Sequence, residues 1–139
     1  MSKPRSFEEW VEQVPESLRQ DPLWTFDVYP KALFLCDLVW EDCERLLKDP
    51  RGRAVAEQLI RSAGSICANI EEGYGRGYGK EYSYFLRVSI GSARESRGWY
   101  YRGRRLLPAD VVKHRIALLD EIIAMLAPNI RRQRKYQKK

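Results

Sequence analysis

The sequence predicts an all-α protein: an antiparallel up-down-up-down four-helix bundle with an irregular N-terminal extension. Three observations carry that prediction. Four long segments repeat apolar residues three and four positions apart, the period of a helix with one buried face. The links between them run about 2–6 residues, which makes successive helices antiparallel neighbours. No stretch of useful length alternates apolar with polar residues, so nothing predicts a sheet. The 139 residues are 44% hydrophobic and 32% charged, enough for one domain with a true core and too apolar for a disordered chain.

The extension, residues 1–29, is punctuated by Pro4, Pro15 and Pro22. Ser6 followed three residues later by Glu9 predicts a capped short helix over Phe7–Val14. Trp24, Phe26 and Tyr29 are expected to anchor the extension on the main body. The bundle proper is expected over 30–130, with 131–139 as a basic tail.

The first long helix is expected from about Pro30 to Lys48, stopping before Asp49-Pro50. Its seam reads Leu33, Cys36, Trp40, Cys43 and Leu47, widened by Leu35, Val39 and Leu46. Asp37, Glu41, Asp42, Glu44 and Arg45 are assigned to the outer face. The second helix spans Arg51–Tyr74 with the seam Ala56, Leu59, Ala63, Ile66 and Ile70. Gly64 inside it costs about 1 kcal/mol relative to Ala, which predicts close packing there. Gly73, Gly75, Gly77 and Gly79 then end the helix. This stretch lacks the Gly-Lys-Ser/Thr ending and preceding strand of a phosphate loop, so it reads as a helix–helix turn.

The third helix is expected over Lys80–Arg105, with Tyr82, Phe85, Ser89, Ala93, Ser96 and Tyr100 on one face. The small residues Ser89-Ile90-Gly91-Ser92-Ala93 at its middle permit close approach of a neighbour. The fourth helix begins at Pro108, with Val112, Ile116, Leu119, Ile123, Leu126 and Ile130 on its seam. The first and third links close one end of the bundle, and the Gly-rich link and the tail share the other.

Composition narrows the function classes. No run of about 18 apolar residues exists, so no membrane span is expected. The first residues lack the apolar run of a secretion signal, which predicts a cytoplasmic protein. Cys36, Cys43 and Cys67 fit no zinc pattern and read as small buried side chains. A single histidine, His114, builds no His-rich metal site. Hence no metal site is expected, and the sequence offers little for an enzyme.

Charge points elsewhere. Residues 1–95 hold 13 Lys/Arg against 16 Asp/Glu, whereas residues 96–139 hold 12 against 3. The whole basic excess lies in the last third, which favours a polyanionic partner over a merely solvated surface. Arg97, Arg102, Arg104 and Arg105 interleave with Trp99, Tyr100 and Tyr101, a mixture suited to phosphates and stacked bases. Lys113 and Arg115 are expected beside them. Arg76, Lys80, Arg131, Arg132, Arg134 and Lys135 are candidates at the opposite end.

Two motifs go beyond a generic helical chain. The run Arg61-Ser62-Ala63-Gly64-Ser65-Ile66-Cys67-Ala68-Asn69-Ile70-Glu71-Glu72-Gly73 is the first. Arg76 with Glu81, Phe85 and Leu86, then Gly91-Ser92-Ala93-Arg94-Glu95, is the second. Together, over about residues 33–128, they resemble the four helix bundle protein family, also called the 23S rRNA intervening-sequence protein family. That family includes the accessory variability proteins of diversity-generating retroelements. Ser89, where the family more often has Ala, the longer N-terminus and the Arg- and aromatic-rich end of the third helix suggest a subfamily. The resemblance implies a helical bundle assembling as a ring-shaped homopentamer, without catalysis or cofactor. For retroelement members it implies binding to nucleic acid and to a reverse transcriptase. The four tryptophans in so small a chain also favour an oligomer.

Among the motif residues, Gly73, Gly91 and Ser92 read as structural, and Arg61, Asn69, Glu72 and Glu95 as a polar network fixing helix register rather than an acid–base pair. Arg61 falls opposite Ser92–Glu95, and a fully buried pair there would lose about 3–5 kcal/mol when one partner is removed. The functional expectation is a non-enzymatic protein that binds the RNA or DNA backbone, assisting a retroelement reverse transcriptase. A scaffolding homo-oligomer with a protein partner is the alternative. Neither reading involves a membrane.

Overall fold

The computed structural model describes residues 6–76 and 79–137, with side chains described as far as Arg132. The side chains of Arg134 and Lys135 therefore lie outside the described residues. The described chain is all-α, without a strand: α1 (Phe7–Gln13), α2 (Glu16–Arg19), α3 (Val28–Leu46), α4 (Pro50–Gly75), α5 (Lys80–Arg102) and α6 (Ala109–Gln137). Short 3-10 turns at Pro22–Thr25 and Arg104–Leu106 join them.

Within residues 6–29, α1 forms where its cap predicts it, and α2 and the Pro22–Thr25 turn, which the sequence signals do not predict, follow it. The Ser6 side chain accepts from the Glu9 N–H at 3.1 Å and starts α1. Trp10 is buried, packs against Phe7 and Phe34, and donates from its indole to Asp37 at 2.7 Å. Trp24 stacks on Trp10, Phe26 meets the edge of Tyr82, and Tyr29 is buried. The aromatics of the extension are thus engaged within one chain. Three of the four tryptophans are buried or half-buried, so their number alone does not argue for an oligomer.

Partner contacts along the helices fix their directions. Tyr29 hydrogen-bonds Glu71, Cys36 meets Cys67, and Cys43 meets Ala56: ascending α3 faces descending α4. Ser62 with Ser96, Ser65 with Ser92, and Ile66 with Ser89 run α4 against α5 in the same sense. Lys31–Glu121 and Asp42–Arg115 make α3 and α6 antiparallel. Each of the four long helices packs on two others: α4 on α3 and α5, and α6 on α5 and α3.

The α4 seam is buried as predicted: Ala56, Leu59, Ala63, Ile66 and Ile70 are at most 1% exposed. On α5, Tyr82, Ser89, Ala93, Ser96 and Tyr100 are buried, and on α6 so are Val112, Leu119, Leu126 and Ile130. The α3 seam is rotated. Trp40 is 70% exposed and Leu47 49%, while the buried line runs through Val28, Ala32, Leu35, Val39, Asp42 and Leu46. Asp42, assigned by sequence to the outer face, is in the core because Arg115 of α6 reaches it.

The small residues divide by face. A Cβ on Gly73 would lie 2.9 Å from the Phe85 Cβ, so glycine there is dictated by the α4–α5 approach. Gly64 and Gly91 have open space where a Cβ would go. The close packing expected at Gly64 is absent within the chain; the helices close up at Ser62, Ser65, Ser89, Ser92 and Ser96 instead.

Candidate nucleic-acid interface

The α3–α4 and α5–α6 turns meet at one end of the molecule. A Cβ on Gly52 would touch Leu106, and one on Gly103 would lie 2.9 Å from the Val55 Cγ1. Beneath this junction lies a buried polar cluster. Arg115 donates twice to Asp42, Nε to Oδ2 at 2.8 Å and Nη2 to Oδ1 at 3.0 Å. The Tyr100 hydroxyl donates to the same Oδ2 at 2.7 Å. The Asp42 and Arg115 side chains are 7% and 11% exposed. Burial and the Asp42 charge push the Tyr100 phenol well above its ordinary range. Burial opposes the Arg115 charge most strongly of any single effect, but the hydrogen bonds and charge of Asp42, with Tyr100, together outweigh it and hold the guanidinium above its ordinary range. Sequence reasoning placed Arg115 among the phosphate-binding residues. The structure corrects this: Arg115 is a two-pronged internal tie, bound to a carboxylate and largely covered.

Above the cluster, cations stay outward. Arg102 lies over the Trp99 ring at 4.2 Å, and Arg104 over the Tyr101 ring at 4.0 Å. Arg104 also donates to the Tyr101 carbonyl at 2.9 Å. A ring face orders a guanidinium without cancelling its charge. Tyr101 itself is 56% exposed. Arg105 and Lys113 are exposed on the 3-10 turn and the first turns of α6. Among the described residues no carboxylate pairs with Arg102, Arg104, Arg105 or Lys113. Lys48 and Arg53, exposed at the α3–α4 turn of the same end, are likewise uncommitted and were not singled out from sequence. Their signal is positional only, since they flank Asp49-Pro50 in the region of net negative charge. Arg97, by contrast, pairs with Asp120 at 2.6 Å on the side of the molecule.

The opposite end differs. Arg76 reaches Glu72 at 2.8 Å and Glu81 at 3.9 Å, and lies over Phe85 at 5.8 Å. Arg76, Lys80, Glu81, Tyr84 and Phe85 line an open depression. Lys80, Arg131 and Arg132 are exposed there. The nominated cations whose side chains are described thus sort into a neutralised set (Arg76, Arg97, Arg115) and an outward set.

The motif residues contact one another and their neighbours along and between α4 and α5. Arg61 contacts both Glu95 of α5 and Gln58, and Trp99 donates to Glu95 at 3.0 Å. The expected link between α4 and α5 is present, but its side chains are 59% and 35% exposed, so the condition of full burial for a loss of about 3–5 kcal/mol is not met. Asn69 donates to the Ser65 carbonyl at 2.8 Å and to the Ser65 hydroxyl at 3.0 Å, and Ser92 donates to that same hydroxyl. Glu72 serves Arg76, Gly73 admits Phe85, and Gly91 faces open space. Among the described residues no group of three or more His, Cys, Asp or Glu side chains could hold a metal ion.

Fold and site together define a class: a helical protein whose motif keys two helices through hydroxyls and whose one end carries outward cations on aromatic supports. Within that class the assignment is specific. The family model of the 23S rRNA-intervening sequence protein matches residues 25–128, and the chain belongs to that family. No curated protein and no solved structure matches it. No described helix is long and apolar enough to cross a membrane.

Proposed function

We propose that this chain is a non-enzymatic nucleic-acid-binding accessory protein whose four long helices form an antiparallel up-down-up-down bundle. The observation that carries the reading is the support of Arg102 and Arg104 by ring faces where Arg76 and Arg97 have carboxylates. Cations held in place but not neutralised are suited to backbone phosphates, and the exposed Tyr101 ring beside them is suited to a stacked base. The retroelement branch of the family supplies the biological reading, with a reverse transcriptase as partner. A reverse-transcriptase gene beside this one, with template and variable repeats, would support it. In a ring-shaped homopentamer the cationic ends recur around an axis and gain avidity.

Fluorescence anisotropy with labelled RNA and DNA over a salt series tests the proposal. The Arg102→Ala/Arg104→Ala/Arg105→Ala variant is expected to bind about tenfold more weakly and to lose up to about three from the log–log salt slope. The Arg76→Ala variant is expected to bind like the parent. Equal affinity of parent and triple variant removes this site, and absence of binding at low salt removes the function.

A scaffolding homo-oligomer is the second reading, favoured by one observation. Trp40 and Ile60 are 70% and 45% exposed on the face shared by α3 and α4. Sedimentation equilibrium that returns only the 16.3 kDa chain mass would remove assembly from both readings.

A further inference from the structure

Cys36 of α3 and Cys67 of α4 bring their sulfurs to 3.3 Å across the helix pair. The two differ in setting. Cys67 is 5% exposed, whereas Cys36 is half-buried and reaches the surface. Cys36 donates its S–H to the Ala63 carbonyl at 3.3 Å, which leaves its sulfur lone pairs facing Cys67. The hydrogen bond to Cys36 and burial push the Cys67 thiol well up, so Cys67 is the poorer first nucleophile. Cys43, the third thiol, lies one further turn pair along α3, buried against the Ala56 carbonyl at 3.8 Å with no sulfur near it. Burial pushes its thiol to about 11. The chain thus holds one matched thiol pair and one internal control.

We propose that Cys36 and Cys67 form a reversible disulfide that staples α3 to α4, with a hydroperoxide as oxidant. The Cys36 thiolate attacks the distal peroxide oxygen, the O–O bond breaks, and Cys36 becomes a sulfenic acid as the alcohol or water departs. The Cys67 sulfur then attacks the sulfenic sulfur; the S–S bond forms, the S–O bond breaks, and the hydroxyl leaves as water with the Cys67 proton. Two thiols lose two hydrogens and the peroxide is reduced. The sulfurs have about 1.3 Å to close to reach bonding distance, a shift within reach of side-chain rotation. The bond closes a loop across a sequence separation of 31, long enough to restrict the unfolded chain appreciably. The oxidised protein is therefore expected to melt about 3–10 °C higher than the reduced one.

The test treats the full, reduced chain with hydrogen peroxide, then alkylates it under denaturing conditions and maps peptides by mass spectrometry. The expected product has lost two hydrogens, carries a linked peptide joining Cys36 to Cys67, leaves Cys43 alkylated, and returns to three free thiols with dithiothreitol. In the Cys67→Ser variant, a 1,3-dione is expected to trap sulfenic acid at Cys36. In the Cys36→Ser variant, Cys67 is expected to react at least about tenfold more slowly than Cys36 does in the parent. Three free thiols under conditions that oxidise dithiothreitol would overturn the proposal. So would over-oxidised Cys36 without a link, or a link made through Cys43.

Discussion

The α4–α5 turn and the α5–α6 turn of this protein hold their arginines in different ways. At the Gly-rich α4–α5 turn, Arg76 sits between Glu72 and Glu81, and its charge is cancelled on the surface. At the α5–α6 turn, the carboxylate-bound Arg115 is inside, holding Asp42 beneath the junction, while Arg102 and Arg104 rest on rings above it. A carboxylate partner removes a cation from a polyanion's view, and an aromatic partner only orients it. The same residue type is therefore structural at one position and a candidate ligand-binding group a few residues away.

The largest expected effect sharpens that contrast. Arg115→Met leaves Asp42 buried without its partner and is expected to cost about 3–5 kcal/mol in urea denaturation. The double variant Asp42→Leu/Arg115→Met is expected to recover most of that loss, because an apolar pair needs no charge compensation. Arg76→Ala is expected to leave the midpoint unchanged. A comparable loss at Arg76 would break the distinction between the two ends.

Glycine positions give the next effect. Gly73→Ala drives a Cβ to 2.9 Å from that of Phe85 and is expected to cost about 1–3 kcal/mol. Gly64→Ala and Gly91→Ala place a methyl in open space in helix interiors and are each expected to stabilise the isolated chain by about 0.5–1 kcal/mol. Thermal melts decide the sign. Destabilisation together with a fall in sedimenting mass would instead mean that a second copy covers those glycines.

The smallest effect is at His114, next to Arg115. Burial and the Arg115 charge hold its imidazole below the ordinary 6.5, so the folded chain resists the proton. As pH falls through 6.5 the unfolded chain takes that proton first, and stability declines. His114→Asn is expected to flatten this part of the stability–pH curve between about pH 5 and 6.5, with little change at pH 8.

What was legible in the sequence follows from how local each signal is. The α4 seam needed only its own spacing, and all its members are buried. The α3 seam misled because Trp40 and Leu47 imitate an apolar stripe while Asp42, polar by type, belongs inside. Asp42 is admitted to the core by Arg115, which is 73 residues away, and no pattern within α3 encodes that. The Arg–aromatic stretch was legible as a site candidate, but the sorting of its cations was not, because it depends on which carboxylates other helices present. Cys36 and Cys67 looked like unrelated small residues for the same reason: their proximity is a property of the α3–α4 alignment.

The hydroxyl seam between α4 and α5 has a consequence for how the chain finds this alignment. Ser96 gives its proton to the Ser92 carbonyl at 2.9 Å and lies 2.7 Å from the Ser62 hydroxyl; Ser89 donates to the Ile66 carbonyl at 3.0 Å. A greasy helix pair can slide by one turn and still bury similar area. This pair resists it, since a slip of four residues would part Ser62 from Ser96 and take Ser89 from the Ile66 carbonyl, leaving a buried hydroxyl unsatisfied at about 1–3 kcal/mol. Competing hairpins are thereby raised in energy, and the search along the seam ends in a single alignment.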